Sequence, residues 1–176
     1  ETPEEQEIIT IVTTILPLYS LTKYITYNTP VVVDNIVPPG ASEHNFQLTP
    51  KLAQKIENAD FIVINGLGLE EFLEDSISNS TATVIDTSKD IELIKNEENY
   101  KEEADHNNGE YDPHIWLSPI NAIKQSENIL KVLVEKNPKY KKEYENNFKW
   151  LKYNLEKLDK EIINTIKTAK IGNYLT

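Results

Sequence analysis

The sequence predicts an α/β fold, with a four-stranded, mostly parallel sheet flanked by helices and followed by a long C-terminal linker helix. Two observations support this prediction. Short apolar, β-branched runs alternate with segments of helical periodicity, which is typical of a parallel sheet covered by helices. Apolar residues then recur at intervals of three and four over residues 138–170, which predicts a helix of about 50 Å at roughly 1.5 Å per residue.

The predicted strands all lie in the first half of the chain. Residues 8–15 and 31–37 are apolar and rich in β-branched side chains, and residues 83–86 form a shorter run of the same kind. Residues 61–64 are apolar without interruption, which is typical of a strand that is buried on both faces. These runs are separated by segments long enough to hold crossover helices, so we expect parallel pairing.

Proline marks the predicted helix starts. Pro17 opens a short helix after the first strand, and Thr49-Pro50 and Ser118-Pro119 each combine an N-cap residue with Pro at the first helical position. Apolar residues between 69 and 77 predict a further helix before the fourth strand. Asn137-Pro138 is expected to end the helix that begins at Pro119 and to start the long one.

Residues 89–112 interrupt the alternation of strands and helices. The segment holds nine acidic residues against three lysines, and we predict a loop with one helical turn around residues 91–94. We predict that the segments before and after this loop belong to one α/β lobe over residues 8–137. A chain of 176 residues that is 39% hydrophobic can bury the core of one ordinary domain. Residues 1–7 are predicted to be a solvated tether.

Composition excludes several classes of function. A net charge of −11 argues against a nucleic-acid partner, and the absence of cysteine excludes thiolate metal sites and a cysteine nucleophile in these residues. No apolar run reaches the roughly 18 residues that a membrane span needs. The chain contains no GxSxG elbow, P-loop or GxGxxG motif, and Gly66 and Gly68 are interpreted as a tight strand-to-helix turn.

Two of the three histidines are the strongest candidate site residues. His44 lies in the loop after the second predicted strand and His114 in the loop after the fourth, so both belong to the carboxyl edge of a parallel sheet, where ligands bind. Prolines at 39 and 113 would orient the rings. Neutral imidazoles are good ligands for zinc and related metals, so the pair predicts half of a metal site.

Other polar residues near the two histidines have more than one interpretation. Glu43 could add a carboxylate ligand or orient an imidazole, but Glu43 and Asp112 are also explained as surface or helix-capping carboxylates. His106 lies in the acidic loop and is a candidate accessory ligand or a solvated side chain. Trp116 is interpreted as a core residue. Each histidine alone could equally be a solvated or structurally bonded loop residue.

Three motifs around these residues resemble the signatures of one family. GASEHNFQLTP at 40–50, ADFIVINGLGLE at 59–70 and YDPHIWLSP at 111–119 are similar to the cluster A-I (cluster 9) metal-binding substrate-binding proteins of bacterial ABC importers, particularly the zinc-specific branch. The motifs occur in the family's order and spacing. The resemblance extends from the first strand through the long helix.

The resemblance implies a protein of two α/β lobes joined by a rigid helix, with the metal between the lobes. It makes His44 and His114 the ligands of the amino-terminal lobe, with Glu43 as a further carboxylate. Residues 138–170 then form the linker helix, and residues 171–176 begin a carboxy-terminal lobe that these 176 residues lack. The implied ion is Zn²⁺, with Mn²⁺ as the alternative, and the implied location is extracytoplasmic, either lipid-anchored at the cell surface or periplasmic.

Three classes of function follow from the sequence and the resemblance. The first is capture of a divalent metal ion for delivery to the membrane permease of an ABC importer, without catalysis. The second is an adhesin or interaction protein that keeps the fold without transport. The third is a metal-dependent hydrolase, which is disfavoured because no general base is arranged near both histidines.

Overall fold

The computed structural model describes residues 8–41, 46–96 and 110–169. Within these ranges the strands are β1 (Thr10–Thr13), β2 (Val32–Asn35), β3 (Phe61–Ile64) and β4 (Thr83–Asp86). They form one sheet in the order β2-β1-β3-β4, and all of its pairings are parallel. The helices are α1 (Leu16–Ile25), α2 (Pro50–Glu57), α3 (Glu74–Ser78), α4 (Pro119–Lys136) and α5 (Lys141–Thr168). The predicted fold is confirmed.

The sheet is covered by apolar side chains on both faces. Ile62 and Val63 of β3 are fully buried and point to opposite sides, because successive residues of a strand alternate between faces. Val63 belongs to the larger core cluster, which includes residues of α1, α4 and α5. Ile62 packs in a smaller cluster with Ile56 of α2 and Leu73. The predicted burial of residues 61–64 on both faces is therefore confirmed.

The predicted helix starts also occur where expected. The Thr49 side chain accepts a hydrogen bond from the backbone N–H of Leu52, and the Ser118 side chain accepts one from that of Asn121, each at 3.4 Å. Both helices have Pro immediately after the cap residue. These caps satisfy one of the backbone donors that an α-helix leaves unpaired at its start, so they define where α2 and α4 begin.

Two local predictions are wrong or need adjustment. The helix predicted over 69–77 is a 3-10 helix at Glu71–Leu73 followed by the short α3, because the preceding backbone turns through positive φ at Leu67 and Gly68. Residues 91–94 form no helical turn. Instead, Lys95 pairs antiparallel with Tyr111, and the backbone N–H of Asp112 donates to the carbonyl of Ile94 at 2.9 Å. This pairing joins the two described ends of the acidic segment.

The long C-terminal helix is held to the lobe over its first half. Tyr144 and Leu151 of α5 are buried, and the Asn147 side chain donates to the carbonyls of Ile25 and Tyr27 at 2.9 and 2.8 Å. The helix is preceded by a 3-10 helix at Pro138–Tyr140, so its α-helical part starts three residues later than the predicted 138–170. Among the described helices, none is both long and apolar enough to pass through a membrane.

The second half of α5 exposes its apolar side chains. Leu158, Ile162 and Ile166 have exposed fractions between 39% and 53%. No other part of the described chain covers this stripe, which continues the same three- and four-residue spacing as the buried first half. The division into a lobe over 8–137, a linker helix over 138–170 and a second lobe from 171 stays a prediction.

A buried carboxylate joins the carboxyl ends of β1 and β3. One oxygen of Glu70 accepts from the Thr14 hydroxyl and the Asn65 backbone N–H, both at 2.7 Å, and the other accepts from the Gly66 N–H at 3.0 Å. Burial raises the pKa of the Glu70 carboxyl above its ordinary value, and these hydrogen bonds offset part of the rise. Glu70 thus provides the acceptors for a turn that would otherwise leave its donors unpaired.

Replacing Glu70 with Ala is expected to lower the free energy of unfolding by at least about 1–3 kcal/mol, since buried donors would lose their acceptor. Urea unfolding followed by the fluorescence of the chain's two tryptophans measures this change. Glu71→Ala is the matched control, because the neighbouring Glu71 is exposed. Equal stability of the two variants would contradict a structural role for the Glu70 hydrogen bonds.

Glu70 also predicts a dependence of stability on pH. Because its pKa is raised in the folded chain, the folded state binds this proton more tightly than the unfolded state. The resulting stabilisation is complete below the unfolded value of 4.5 and is lost as the pH rises through the folded pKa. Protonation of Glu70 should therefore contribute less to the stability of the wild type as the pH rises from 4.5. Urea midpoints measured over this range should show this fall in the wild type and not in Glu70→Ala.

Candidate metal centre

His114 lies at the carboxyl edge of the sheet, as predicted. The residue before it, Pro113, accepts a hydrogen bond at 2.9 Å from the side-chain amide of Asn65, which directly follows β3. His114 is followed by the 3-10 helix Ile115–Leu117 and then by α4. Its position is therefore set by the end of one strand and by the start of one long helix.

The backbone around His114 forms a tight turn. The N–H of Ile115 donates to the carbonyl of Pro113 at 2.8 Å, and His114 has φ −75° and ψ 42°, close to the values of an inverse γ-turn. The carbonyl of His114 accepts from the N–H of Leu117 at 3.3 Å. The ring of Pro113 also fixes its own φ, the torsion of the residue just before His114. Few backbone conformations are therefore open to this turn.

Asp112 orients the imidazole ring of His114. One carboxylate oxygen of Asp112 lies 2.7 Å from the ring Nδ1 and also accepts from the backbone N–H of His114 at 2.9 Å. The hydrogen bond from the His114 backbone N–H is the main cause that lowers the pKa of the Asp112 carboxyl below its ordinary value. Desolvation opposes this shift, and the contact with the His114 ring adds to it. An ionised carboxylate only accepts, so a neutral imidazole donates through Nδ1 and keeps its lone pair on Nε2.

This contact corrects the interpretation of Asp112 as a surface or helix-capping carboxylate. Its side chain is 44% exposed, yet it contacts both the ring and the backbone of a candidate ligand. A carboxylate two residues before the residue whose N–H it accepts forms an Asx-type turn. The spacing of Asp112 and His114 was therefore a usable signal in the sequence.

Trp116 connects His114 with the segment that leads to Glu43 and His44. The rings of His114 and Trp116 have centroids 5.2 Å apart. Trp116 is half-buried against the larger core cluster, which agrees in part with its interpretation as a core residue. It also lines a cavity of about 140 Å³ together with the backbone segment from Pro38 to Ala41. Trp116 thus contacts the ring of His114 and lines a cavity with the residues that precede the 43–44 segment.

Glu43 and His44 themselves lie outside the described residues, and so does His106. On the far side of that gap, the ring of Phe46 packs edge-on against Phe72 with centroids 5.7 Å apart. The structure thus places one predicted ligand, His114, and the residues that lead to Glu43 and His44. Over residues 8–41, 46–96 and 110–169, no three His, Asp or Glu side chains form a group that could hold a metal ion.

Two buried amides at this edge were missed at the sequence level. Asn65 and Gln125 are fully buried, and the Gln125 amide donates to the Asn65 side-chain oxygen at 3.1 Å and to the Thr87 hydroxyl at 3.0 Å. These residues are 60 positions apart in the chain. Gln125 stands on the apolar face of α4, and a polar residue on an otherwise apolar face is a weak sequence signal for such a contact.

Comparison with known proteins shows which family the chain belongs to. Residues 11–175 match the family described as "ZnuA: Zinc-uptake complex component A periplasmic". The chain belongs to this family. It is 35% identical over 173 residues to the high-affinity zinc uptake system protein ZnuA of Bacillus subtilis, covering 94% of this chain and 54% of that protein. The zinc-binding lipoprotein AdcA of Streptococcus pneumoniae is 31% identical over 175 residues, covering 94% and 34%.

Solved structures confirm the fold of the family. Zn(II)-bound AdcA from Streptococcus pneumoniae superposes with a TM-score of 0.74 at 29% identity, covering 88% of this chain and 32% of that one. A Mn-bound periplasmic metal-binding protein from Candidatus Liberibacter asiaticus gives 0.70 at 29% identity, covering 91% and 55%. The resemblance drawn from the three motifs is therefore confirmed. The chain spans about half the length of the Bacillus relative and about a third of AdcA.

The contact between Asp112 and His114 predicts one tautomer of the imidazole. In the neutral imidazole, the Nδ1–H form should dominate because Asp112 accepts from Nδ1. Long-range ¹H–¹⁵N correlation spectra distinguish the two ring nitrogens. Asp112→Ala should shift the ring towards the Nε2–H form, whereas Asp112→Asn should not, since its amide oxygen still accepts. A dominant Nε2–H form in the wild type would contradict the arrangement.

Proposed function

We propose that this chain is an extracytoplasmic solute-binding protein that captures a divalent metal ion, with zinc as its first substrate, for delivery to an ABC importer. The observation that carries the proposal is the turn at His114, whose ring is oriented through Nδ1 by Asp112 so that Nε2 is the coordinating nitrogen. A carboxylate on the second ring nitrogen is the usual arrangement around a zinc-bound histidine, because it sets the tautomer and makes the imidazole more basic.

His44 is the proposed second ligand, with Glu43 as an additional carboxylate. His44 is three residue steps along the chain from Ala41, and an extended chain of that length spans at most about 11 Å. Ala41 lines the same cavity as Trp116, and Trp116 contacts the ring of His114. A ligand from the 43–44 segment is therefore within reach of the ion that His114 would bind. His106 is a proposed accessory ligand.

The ligand chemistry favours zinc over manganese. Two imidazoles and one carboxylate form a borderline-soft set that suits Zn²⁺, whereas Mn²⁺ prefers a larger number of oxygen ligands. Membership of a family described by zinc uptake points the same way. Mn²⁺ stays the alternative, since a similar structure is described as Mn-bound.

Groups outside these 176 residues would complete the coordination. A tetrahedral zinc site needs about four ligands, and His44, His114 and Glu43 supply at most three. The relatives are longer than this chain, and the apolar stripe of α5 around Leu158 and Ile162 offers a surface on which a further lobe could pack. The same assembly would present the ion to a membrane permease, and the protein performs no chemistry on it.

Replacing His114 with Ala is expected to weaken zinc binding by more than the roughly 10- to 100-fold that loss of an outer-shell partner costs, because a direct ligand is removed. Competition against a chromogenic zinc chelator measures the dissociation constant. His44→Ala should have a similar effect. His106→Ala is the matched control and should change the affinity far less.

Two results would contradict the proposal. Wild-type affinity in folded His114→Ala would show that this imidazole binds no metal. A larger loss in His106→Ala than in His44→Ala would move the site to the acidic segment. Turnover of a hydrolysable ester or phosphate by the zinc-loaded chain would support the hydrolase alternative instead.

A further inference from the structure

A relay of two buried amides connects α4 with the turn that holds His114. The Asn65 side chain donates from Nδ2 to the carbonyl of Pro113 at 2.9 Å, and its Oδ1 accepts from Nε2 of Gln125 at 3.1 Å. Gln125 also donates to the hydroxyl of Thr87 at 3.0 Å. We call these two side chains, Asn65 and Gln125, the amide relay. Both are fully buried.

The direction of each hydrogen bond in the amide relay is determined by backbone carbonyls. The carbonyl of Pro113 can only accept, so the nitrogen of the Asn65 amide must face it, and the oxygen must face Gln125. The Thr87 hydroxyl donates to the carbonyl of Ile64 at 2.9 Å, so it accepts from Gln125. A reversed amide at either residue would bring two acceptors together. The relay therefore has one orientation.

Gln125 is needed to pair the oxygen of the Asn65 amide. With its nitrogen directed at Asn65 and Thr87, the oxygen of Gln125 is one of two buried side-chain oxygens in the described part of the chain without a hydrogen bond. An apolar residue at position 125 would remove that oxygen, but it would leave the buried Oδ1 of Asn65 without its donor. Gln125 therefore fixes the direction of the Asn65 amide, and with it the nitrogen that faces Pro113.

What the amide relay holds is the turn before His114. Asn65 binds the carbonyl that also accepts from the N–H of Ile115 to close the turn. Asn65 extends directly from β3, and Gln125 lies on α4, which packs against the sheet. The carbonyl of Pro113 is therefore tied to the end of β3 through Asn65, and through Gln125 to α4.

We propose that Asn65 and Gln125 are positioning residues for the metal ligand His114, acting through the carbonyl of Pro113. The inference rests on the proposed function, because it assumes that His114 binds the metal. Ligands must converge within a few tenths of an ångström to bind tightly, and the turn at His114 restricts its own backbone without fixing its place relative to the sheet. The relay supplies it by fixing the turn to β3 and α4.

The test compares Asn65→Leu and Gln125→Met with the wild type, using zinc ions alone and a chromogenic competitor. Each variant keeps a similar volume and removes the polar contacts. Zinc affinity should fall by about 10- to 100-fold in Asn65→Leu, which is typical for loss of an outer-shell partner. Gln125→Met should change it in the same direction but less, since Asn65 still reaches Pro113. The urea midpoint of Gln125→Met should stay close to that of the wild type.

Asn128→Leu is the matched control. Asn128 lies on the same helix and donates to the carbonyls of Thr87 and Lys89 at 3.0 and 2.9 Å, so it joins α4 to the segment after β4 without contacting Pro113. Its zinc affinity should equal that of the wild type. A second, metal-independent measurement is amide hydrogen exchange at Ile115, which should become faster in Asn65→Leu and stay unchanged in Asn128→Leu.

Several outcomes would overturn the inference. Folded Asn65→Leu with wild-type zinc affinity would do so, and so would an equal loss of affinity in Asn128→Leu, which would indicate general loosening. If Asn65→Leu does not fold, unchanged affinity in Gln125→Met decides against the relay. If His114→Ala retains wild-type affinity, the proposed function fails and the inference with it, while exchange at Ile115 still shows whether the relay holds the turn.

Discussion

The hydrogen bond between the Asn65 side chain and the carbonyl of Pro113 determines the form of the carboxyl edge of this sheet. It joins the end of β3 to a turn 48 residues later in the chain. Glu70 holds the backbone of the same Asn65 from the other side, and Gln125 holds its amide oxygen. Because these groups are buried, each must find a partner in one particular arrangement, and that arrangement places His114.

The polar edge and the apolar core have different roles. Two apolar clusters, one on each face of the sheet, supply the burial that stabilises the lobe and tolerate exchange between similar aliphatic residues. The edge contributes less burial and even contains an unpaired oxygen on Gln125. Geometry at the edge is specified by directional hydrogen bonds, whose orientation is determined by carbonyls that can only accept. Directional hydrogen bonds thus specify the geometry of the edge, while apolar burial on the two faces of the sheet stabilises the lobe.

The long helix α5 belongs to the lobe at one end and leaves it at the other. The Asn147 side chain donates hydrogen bonds to two backbone carbonyls at the end of α1 and just beyond it. Tyr144 is fully buried, and its hydroxyl accepts a hydrogen bond from Asn137 at 2.8 Å. Beyond Leu151 the apolar side chains of α5 are partly or largely exposed. A helix with a fixed base and an exposed apolar extension is suited to carry a second packed body at a defined distance from the first.

Local sequence patterns were sufficient for the elements and for the family. The β-branched run at 61–64 and the Thr49-Pro50 and Ser118-Pro119 starts predict structure because strand pleat, capping and the proline φ are properties of a few adjacent residues. The three motifs at 40–50, 59–70 and 111–119 identified the family for the same reason, since each is contiguous; the first and third contain Glu43, His44 and His114. The ligand roles of those residues stay predictions.

Tertiary structure alone decided the order β2-β1-β3-β4, the cavity that Trp116 lines together with residues 38–41, and the amide relay. It also shows that the helical turn predicted at 91–94 is wrong. The next residue along the chain, Lys95, pairs with Tyr111, and this long-range pairing prevails over the local helical propensity. These features join residues that are 16 to 60 or more positions apart, as with Asn65 and Gln125. Periodicity describes one element at a time, so a contact between elements appears only when the sheet and its helices have packed.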